Sequence, residues 1–155
     1  MTKKIEDLVL NITEEIHVKA PLDVTFETLL EQLGPLNEVG PNRQLPMKLE
    51  ARPGGRWYRD LGDDNGHLWG HVQAIKRPTL IEFYGPLIMS YPITSNLQYR
   101  LSAEEGGTLI KFQHTAFGLI QDDHREGVAR GWSYSHELMK KRAEAKVRGS
   151  KTDTN

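Results

Sequence analysis

The sequence predicts an α+β domain in which a curved antiparallel sheet of about seven strands wraps around one long C-terminal helix, with short helices after the first strand. Three observations carry this reading. Apolar and polar residues alternate with a period of two through most of residues 47–115, Gly- and Asn-rich turns divide that stretch at hairpin intervals, and residues 121–147 lack proline and carry one apolar stripe of helical period. A strongly twisted sheet of this size can enclose a ligand cavity against such a helix.

The first strand is expected at residues 11–18, where Ile12, Ile16 and Val18 share one parity and Glu14 is the exception. Ala20-Pro21 ends it. Proline suits a first helical turn, and Leu22, Phe26, Leu29, Leu30 and Leu33 then recur at three- and four-residue steps until Gly34-Pro35. Residues 35–46, crowded with Pro, Gly and Asn, read as a loop with one helical turn at most.

Six strands are expected at residues 47–51, 56–61, 67–75, 80–84, 95–101 and 108–115. Pro53-Gly54-Gly55, Asp63-Asp64-Asn65-Gly66 and Glu104-Glu105-Gly106-Gly107 are hairpin-type turns in which Gly or Asn takes positive φ. In the final helix, Val128, Trp132, Ser135, His136 and Met139 form one stripe. Its last turns hold Lys140, Lys141, Arg142, Lys146 and Arg148, interrupted by Glu144; cations there complement the macrodipole, so the face reads as solvated rather than as a nucleic-acid patch. Residues 1–148 form the expected single domain and residues 149–155 a polar tail.

Composition narrows the function classes. A chain of 155 residues with 37% hydrophobic and 26% charged residues is an ordinary globular domain, able to bury roughly two thirds of its unfolded surface. Twenty Lys and Arg against 21 Asp and Glu leave no field to gather nucleic acid or anionic lipid, so small neutral or apolar partners are favoured. Without cysteine there is no disulfide, thiolate catalysis or Cys-based zinc site. The charged N-terminus lacks a signal-type apolar run and no segment is long enough to cross a bilayer, so the expectation is a cytoplasmic protein with no integral membrane association.

Several residues in order resemble the SRPBCC (START/Bet v 1-like) helix-grip superfamily, and within it the branch similar to the activator of Hsp90 ATPase domain. They are Ala20-Pro21, Pro53-Gly54-Gly55-Arg56-Trp57, Gly70-His71-Val72 followed by Arg77-Pro78, Gly106-Gly107-Thr108, and Gly131-Trp132, covering nearly the whole chain. The resemblance implies the helix-grip fold; the superfamily hosts lipid carriers, cyclases, receptors and co-chaperone domains, so it does not name one function. In that branch the position four residues after the Gly-Trp tryptophan is usually apolar, whereas here it is His136.

The expected ligand-contacting set is Tyr58, Phe83, Tyr99, Phe112, His114, Trp132, Ser135 and His136: an apolar lining with a few polar tips. Each aromatic could equally fill the core, since burying one contributes roughly 1.5–3 kcal/mol without a ligand. His67 and His71 share a parity with Trp69 and Gln73, opposite Leu68, Val72 and Ala74, and so are expected to point away from the core with no third metal ligand. No catalytic residue, metal or cofactor is assigned. The favoured function is non-enzymatic binding of a small hydrophobic molecule or lipid in a cavity between sheet and helix. Two others stay open: a co-chaperone-like module with a chaperone partner, and a cyclase, dehydratase or hydrolase using His114, His136 or Tyr99. A homodimer through an exposed Trp57 or Trp69 is also compatible with the sequence.

Overall fold

The computed structural model describes residues 4–152, with side chains through residue 149. A 3₁₀ turn (Ile5–Leu8) leads into β1 (Val9–Val18), followed by α1 (Leu22–Leu33), the short β2 (Lys48–Leu49), β3 (Arg56–Gly62), β4 (Asn65–Lys76), β5 (Leu80–Gly85), β6 (Ile93–Glu104), β7 (Gly107–Gly118) and α2 (Asp122–Thr152). The seven strands form one antiparallel sheet in the order β1-β7-β6-β5-β4-β3-β2. This is the helix-grip arrangement: the two helices lie on one face of the sheet and share a core with Val18, Val72, Ile81, Phe83, Leu97, Tyr99, Ile110 and Phe112.

Strand alternation sets the inner face. On β1 the even positions Leu10, Ile16 and Val18 are buried, and on β7 Thr108, Ile110, Phe112, His114 and Ala116 are. α1 buries Phe26, Leu29 and Leu33 completely or nearly so, as its three- and four-residue spacing requires. Its start is held by Thr108 Oγ1 and Thr25 Oγ1, both donating to the Ala20 carbonyl (2.8 and 3.3 Å). At its end the Trp57 indole N–H donates to the Leu33 carbonyl at 2.8 Å, filling one of the acceptor positions a helix terminus leaves open.

The far half of α2 is clamped onto α1 and the β1 end. Arg142 donates to Gln32 Oε1 (2.9 Å), Lys146 donates to Thr28 Oγ1 (3.0 Å) and pairs with Glu31, and Glu144 accepts from the Lys19 backbone N–H (2.9 Å). Arg142, Lys146 and Glu144 are therefore helix-docking groups rather than a purely solvated face.

Several expectations are corrected. Trp57 and Trp69 are buried, 0% and 4% exposed, and so provide no dimer surface. Trp57 packs on Phe83 (4.5 Å between centroids) and edge-on to Trp69 (5.1 Å). β4 does not keep one parity. A β-bulge opposite Trp57 and Tyr58 turns Trp69 inward and leaves Leu68 exposed, because an extra residue on one strand flips every side chain beyond it. His71 consequently pairs opposite exposed Arg56 and stacks on Tyr84, while His67 lies opposite Arg59 and reaches Ser90 Oγ at 3.3 Å. The two histidines do not share a face.

The β3–β4 hairpin places positive φ at Asp63 and Asp64, with Asn65 and Gly66 already in β4. Aspartate tolerates this region because its short side chain bonds locally. The expected strand at residues 47–51 is reduced to Lys48–Leu49. α2 runs to Thr152, through part of the expected tail; residues 153–155 lie outside the described residues.

The loop after β5 builds one wall of the site. Gly85 has φ of 146°, and a Cβ there would stand 2.5 Å from the Trp69 carbonyl oxygen, so only glycine permits the approach of β5 to the β4 bulge. That carbonyl then accepts from the Leu87 N–H at 2.8 Å, which hangs residues 86–88 beside Trp69.

Replacing Trp57 by Phe retains most of the ring and deletes the bond to Leu33. Urea unfolding is expected to show a loss of about 1–3 kcal/mol, the cost of a buried carbonyl left without its donor; an unchanged midpoint would show that the bond does not anchor α1.

Candidate functional site

Two neighbouring arrangements occupy the space under α2, one closed and one open. The closed one is centred on His136. Tyr99 O–H lies 2.8 Å from His136 Nε2, and Glu14 Oε2 stands 3.3 Å from Nδ1, within ion-pair distance but poorly aligned for a hydrogen bond. Ser133 Oγ donates to the same Glu14 oxygen at 3.1 Å. Burial, and then the charge of Glu14, push the Tyr99 pKa well above its usual value, so the phenol keeps its proton and donates. Nε2 is then the acceptor, and the network assigns the ring proton to Nδ1, facing Glu14. The polar contact with His136 holds the Glu14 carboxyl below its usual range against an opposing effect of burial.

Phe112 packs edge-on to His136 at 4.5 Å, and Trp132 lies nearly parallel to it at 6.0 Å. The histidine thus occupies an apolar position in the helix stripe because two polar groups on the sheet, Tyr99 and Glu14, meet it there. Glu14 is the residue that sequence reasoning left unassigned. Its signal was present: it was the one charged residue at the inward parity of β1.

The open arrangement is a cavity of about 300 Å³ at the N-terminal half of α2. Val39, Trp69, Leu87, Val128 and Trp132 supply its apolar walls. His114 and Ser135 lie buried in the lining, while Arg43 and Asp123 are exposed at the rim. Its His124 is tied to the loop after β5 by the Tyr91 hydroxyl, 2.8 Å from Nδ1.

His114 is fully engaged. The Trp132 indole N–H donates to Nδ1 (3.1 Å) and Nε2 bonds Ser95 Oγ (3.1 Å), which makes His114 a neutral ring protonated on Nε2. Burial lowers its pKa from 6.5 to about 4, in keeping with that assignment. A histidine with both nitrogens committed fixes the Trp132 wall and offers no free base to the cavity.

Of the eight expected ligand-contacting residues, His114, Trp132 and Ser135 line the cavity. Tyr99, Phe112 and His136 form the closed cluster behind it. Phe83 is wholly buried against Trp57, and Tyr58 faces outward with the Arg56 guanidinium 4.6 Å over its ring. The two groups lie on either side of Trp132, whose ring packs on Phe112 (5.4 Å) toward the closed cluster while its indole N–H bonds His114 in the cavity lining. Of the lining residues missed, Val39, Arg43, Leu87 and His124 sit in loops or at the helix start, where no period distinguishes a lining residue, whereas Trp69 lies at the β4 bulge and Gly127, Val128 and Gly131 lie on α2 itself.

α2 also presents Gly127 and Gly131 to the cavity, four residues apart on one face. Each glycine in a helix interior costs about 1 kcal/mol relative to alanine. A Cβ at Gly127 would meet no atom within 4 Å, and at Gly131 only the Val39 carbonyl oxygen at 4.0 Å. Close packing therefore requires neither glycine. Among the described residues, no group of three or more His, Asp or Glu side chains is placed to hold a metal ion, and no helix is long and apolar enough to cross a membrane.

Two measurements test these assignments. His136→Leu should destabilise by about 1–3 kcal/mol, with Tyr99→Phe in the same chain recovering part of the loss, as a double-mutant cycle in denaturant would show. Additive effects would mean that the Tyr99–His136 contact is not formed. The second concerns pH: the unfolded chain protonates His114 near pH 6.5, whereas the folded chain resists until about pH 4. This contribution to stability is whole above pH 6.5 and is lost as pH falls from there to about 4, a change of about 3 kcal/mol. Unfolding curves across that window should flatten in His114→Gln; an identical slope would contradict the neutral, buried assignment.

Comparison with known proteins agrees with this architecture. An uncharacterized protein from Rhizobium leguminosarum is 23% identical, with 86% of this chain and 95% of that one aligned and a TM-score of 0.62. Ara h 8.0201 aligns over 88% of this chain and 99% of its own at 15% identity and a TM-score of 0.64. The di-domain ARO/CYC StfQ from the steffimycin biosynthetic pathway aligns over 92% of this chain at 15% identity and a TM-score of 0.65; the match spans 53% of that protein. These likenesses establish the fold. No curated protein matches the chain. The family model for activator of Hsp90 ATPase homolog 1-like proteins matches residues 21–144, and the chain belongs to that family.

Proposed function

We propose that this protein binds a small, largely apolar molecule or lipid in the cavity between the sheet, residues 37–43 and the N-terminal half of α2. One observation carries the reading: a space of about 300 Å³ walled by Val39, Trp69, Leu87, Val128 and Trp132 remains open beside an otherwise filled core. That volume lies at the lower end of pockets that hold small molecules. Covering apolar wall with an apolar guest contributes about 25 cal/mol per Å² removed from water. The few polar groups suit orientation more than chemistry, since His114 has both nitrogens engaged and Tyr99 and His136 lie outside the lining. The chaperone-partner reading rests on family membership alone.

The test combines native mass spectrometry of the purified protein with titration of the neutral fluorophore N-phenylnaphthylamine. Saturable enhancement is expected, weakened about tenfold in Trp132→Ala by loss of one aromatic wall. A protein that carries no ligand and leaves the fluorophore dark at every concentration would remove the proposal.

A further inference from the structure

Gly127, Gly131 and Ser135 follow one another at four-residue steps on the face of α2 that lines the cavity. At 1.5 Å per residue they span about 12 Å of helix. The strip runs inward: Asp123, one step before it, is exposed, the two glycines are half-buried, and Ser135 is 3% exposed. Two independent observations set it apart. The glycines leave empty the space that an alanine methyl would occupy, although nothing in the protein packs there to require it. At the deep end, Ser135 Oγ is buried with no hydrogen-bond partner among the described residues. Buried hydroxyls are normally satisfied, and a serine in a helix can usually turn to a carbonyl one turn back.

Resting on the binding function proposed above, we infer that the ligand lies lengthwise along this bare strip and is a narrow apolar molecule whose terminal hydroxyl or carbonyl oxygen meets Ser135 Oγ. The glycines let an unbranched chain lie directly on helix backbone between the Trp69 and Trp132 walls. A branched or globular body would need the width that the walls occupy, whereas a flat aromatic probe can stand between them. Ser135 supplies the one hydrogen bond that sets which end enters first, because His114 beside it has no free nitrogen.

Displacement of N-phenylnaphthylamine by n-octanol and by n-octyl chloride reads both features. The wild-type protein should prefer the alcohol by about fivefold, the worth of one hydrogen bond. Ser135→Ala should erase that preference while binding the chloride within about twofold of wild type. Gly127→Ala and Gly131→Ala should each raise the Tm by about 3 °C, as alanine favours the helix, and yet weaken n-octanol at least about tenfold. Glycine variants that bind n-octanol as wild type does, or a Ser135→Ala protein that keeps the preference, would overturn the inference. Binding of the fluorophore without displacement by n-octanol would overturn it too, while leaving the cavity function standing. Failure to bind the fluorophore at all would take both away.

Discussion

The docking of α2 across the concave face of the sheet governs most of what this molecule can do. Met139 and Ala143 are completely buried, and around them Arg142, Lys146 and Glu144 bind α1 and the end of β1 through carbonyl, hydroxyl, carboxylate and amide partners. These contacts all lie in the C-terminal half of the helix. A long helix laid on a curved sheet can touch it closely along only part of its length. The near half is held too, by Arg125 on the Val9 and Asp7 carbonyls and by Trp132 on His114, but beside these holds glycine at residues 127 and 131 leaves space unfilled. Binding capacity is in this sense a geometric remainder of tight packing elsewhere.

The Glu14, His136 and Tyr99 group lies on the boundary between the two halves. A polar group in so apolar a place adds little net stability when satisfied, but it makes alternatives expensive. Sliding α2 by one turn would carry His136 away from Tyr99 and Glu14 and leave the buried phenol without its acceptor. The network therefore sets the helix register, and with it the residues that face the cavity. His114 plays a parallel part for the wall, since its bond to the Trp132 indole fixes the tilt of the ring that bounds the open space.

Much of the architecture was legible in the sequence because it follows from periodicity. The alternation on β6 and β7, the three- and four-residue steps of α1 and the proline-free run of α2 each report which face is buried. Legibility failed where one residue changes parity. The bulge at Trp69 exchanges the faces of β4, and no local composition marks it, since Leu68 and Trp69 are both apolar. Within the expected Asp63-Asp64-Asn65-Gly66 turn, positive φ falls on the two aspartates rather than on Asn65 or Gly66, because aspartate can stand in for asparagine or glycine there. His136 was visible as an anomaly of the stripe, and Glu14 as an anomaly of the strand. Their pairing depends on how α2 crosses β1, which one-dimensional patterns do not encode. The cavity rim is a product of loops, whose side chains carry no period.

The pairing of the first long strand with the last has a kinetic consequence. β1 hydrogen-bonds along its length to β7, from Val9 opposite Phe117 to Val18 opposite Thr108, so its partner is synthesised about a hundred residues later. Such non-local pairing raises contact order and slows folding. On the ribosome β1 must wait, unpaired, until the meander is complete, and an unpaired strand is an aggregation hazard. Asn11, Thr13, Glu15 and His17 occupy its other face, leaving the waiting segment half hydrophilic and poorly suited to self-association. Closure of β1 onto β7 also delivers Glu14 to His136, so the edge of the sheet and the register of the terminal helix are settled in the same late event.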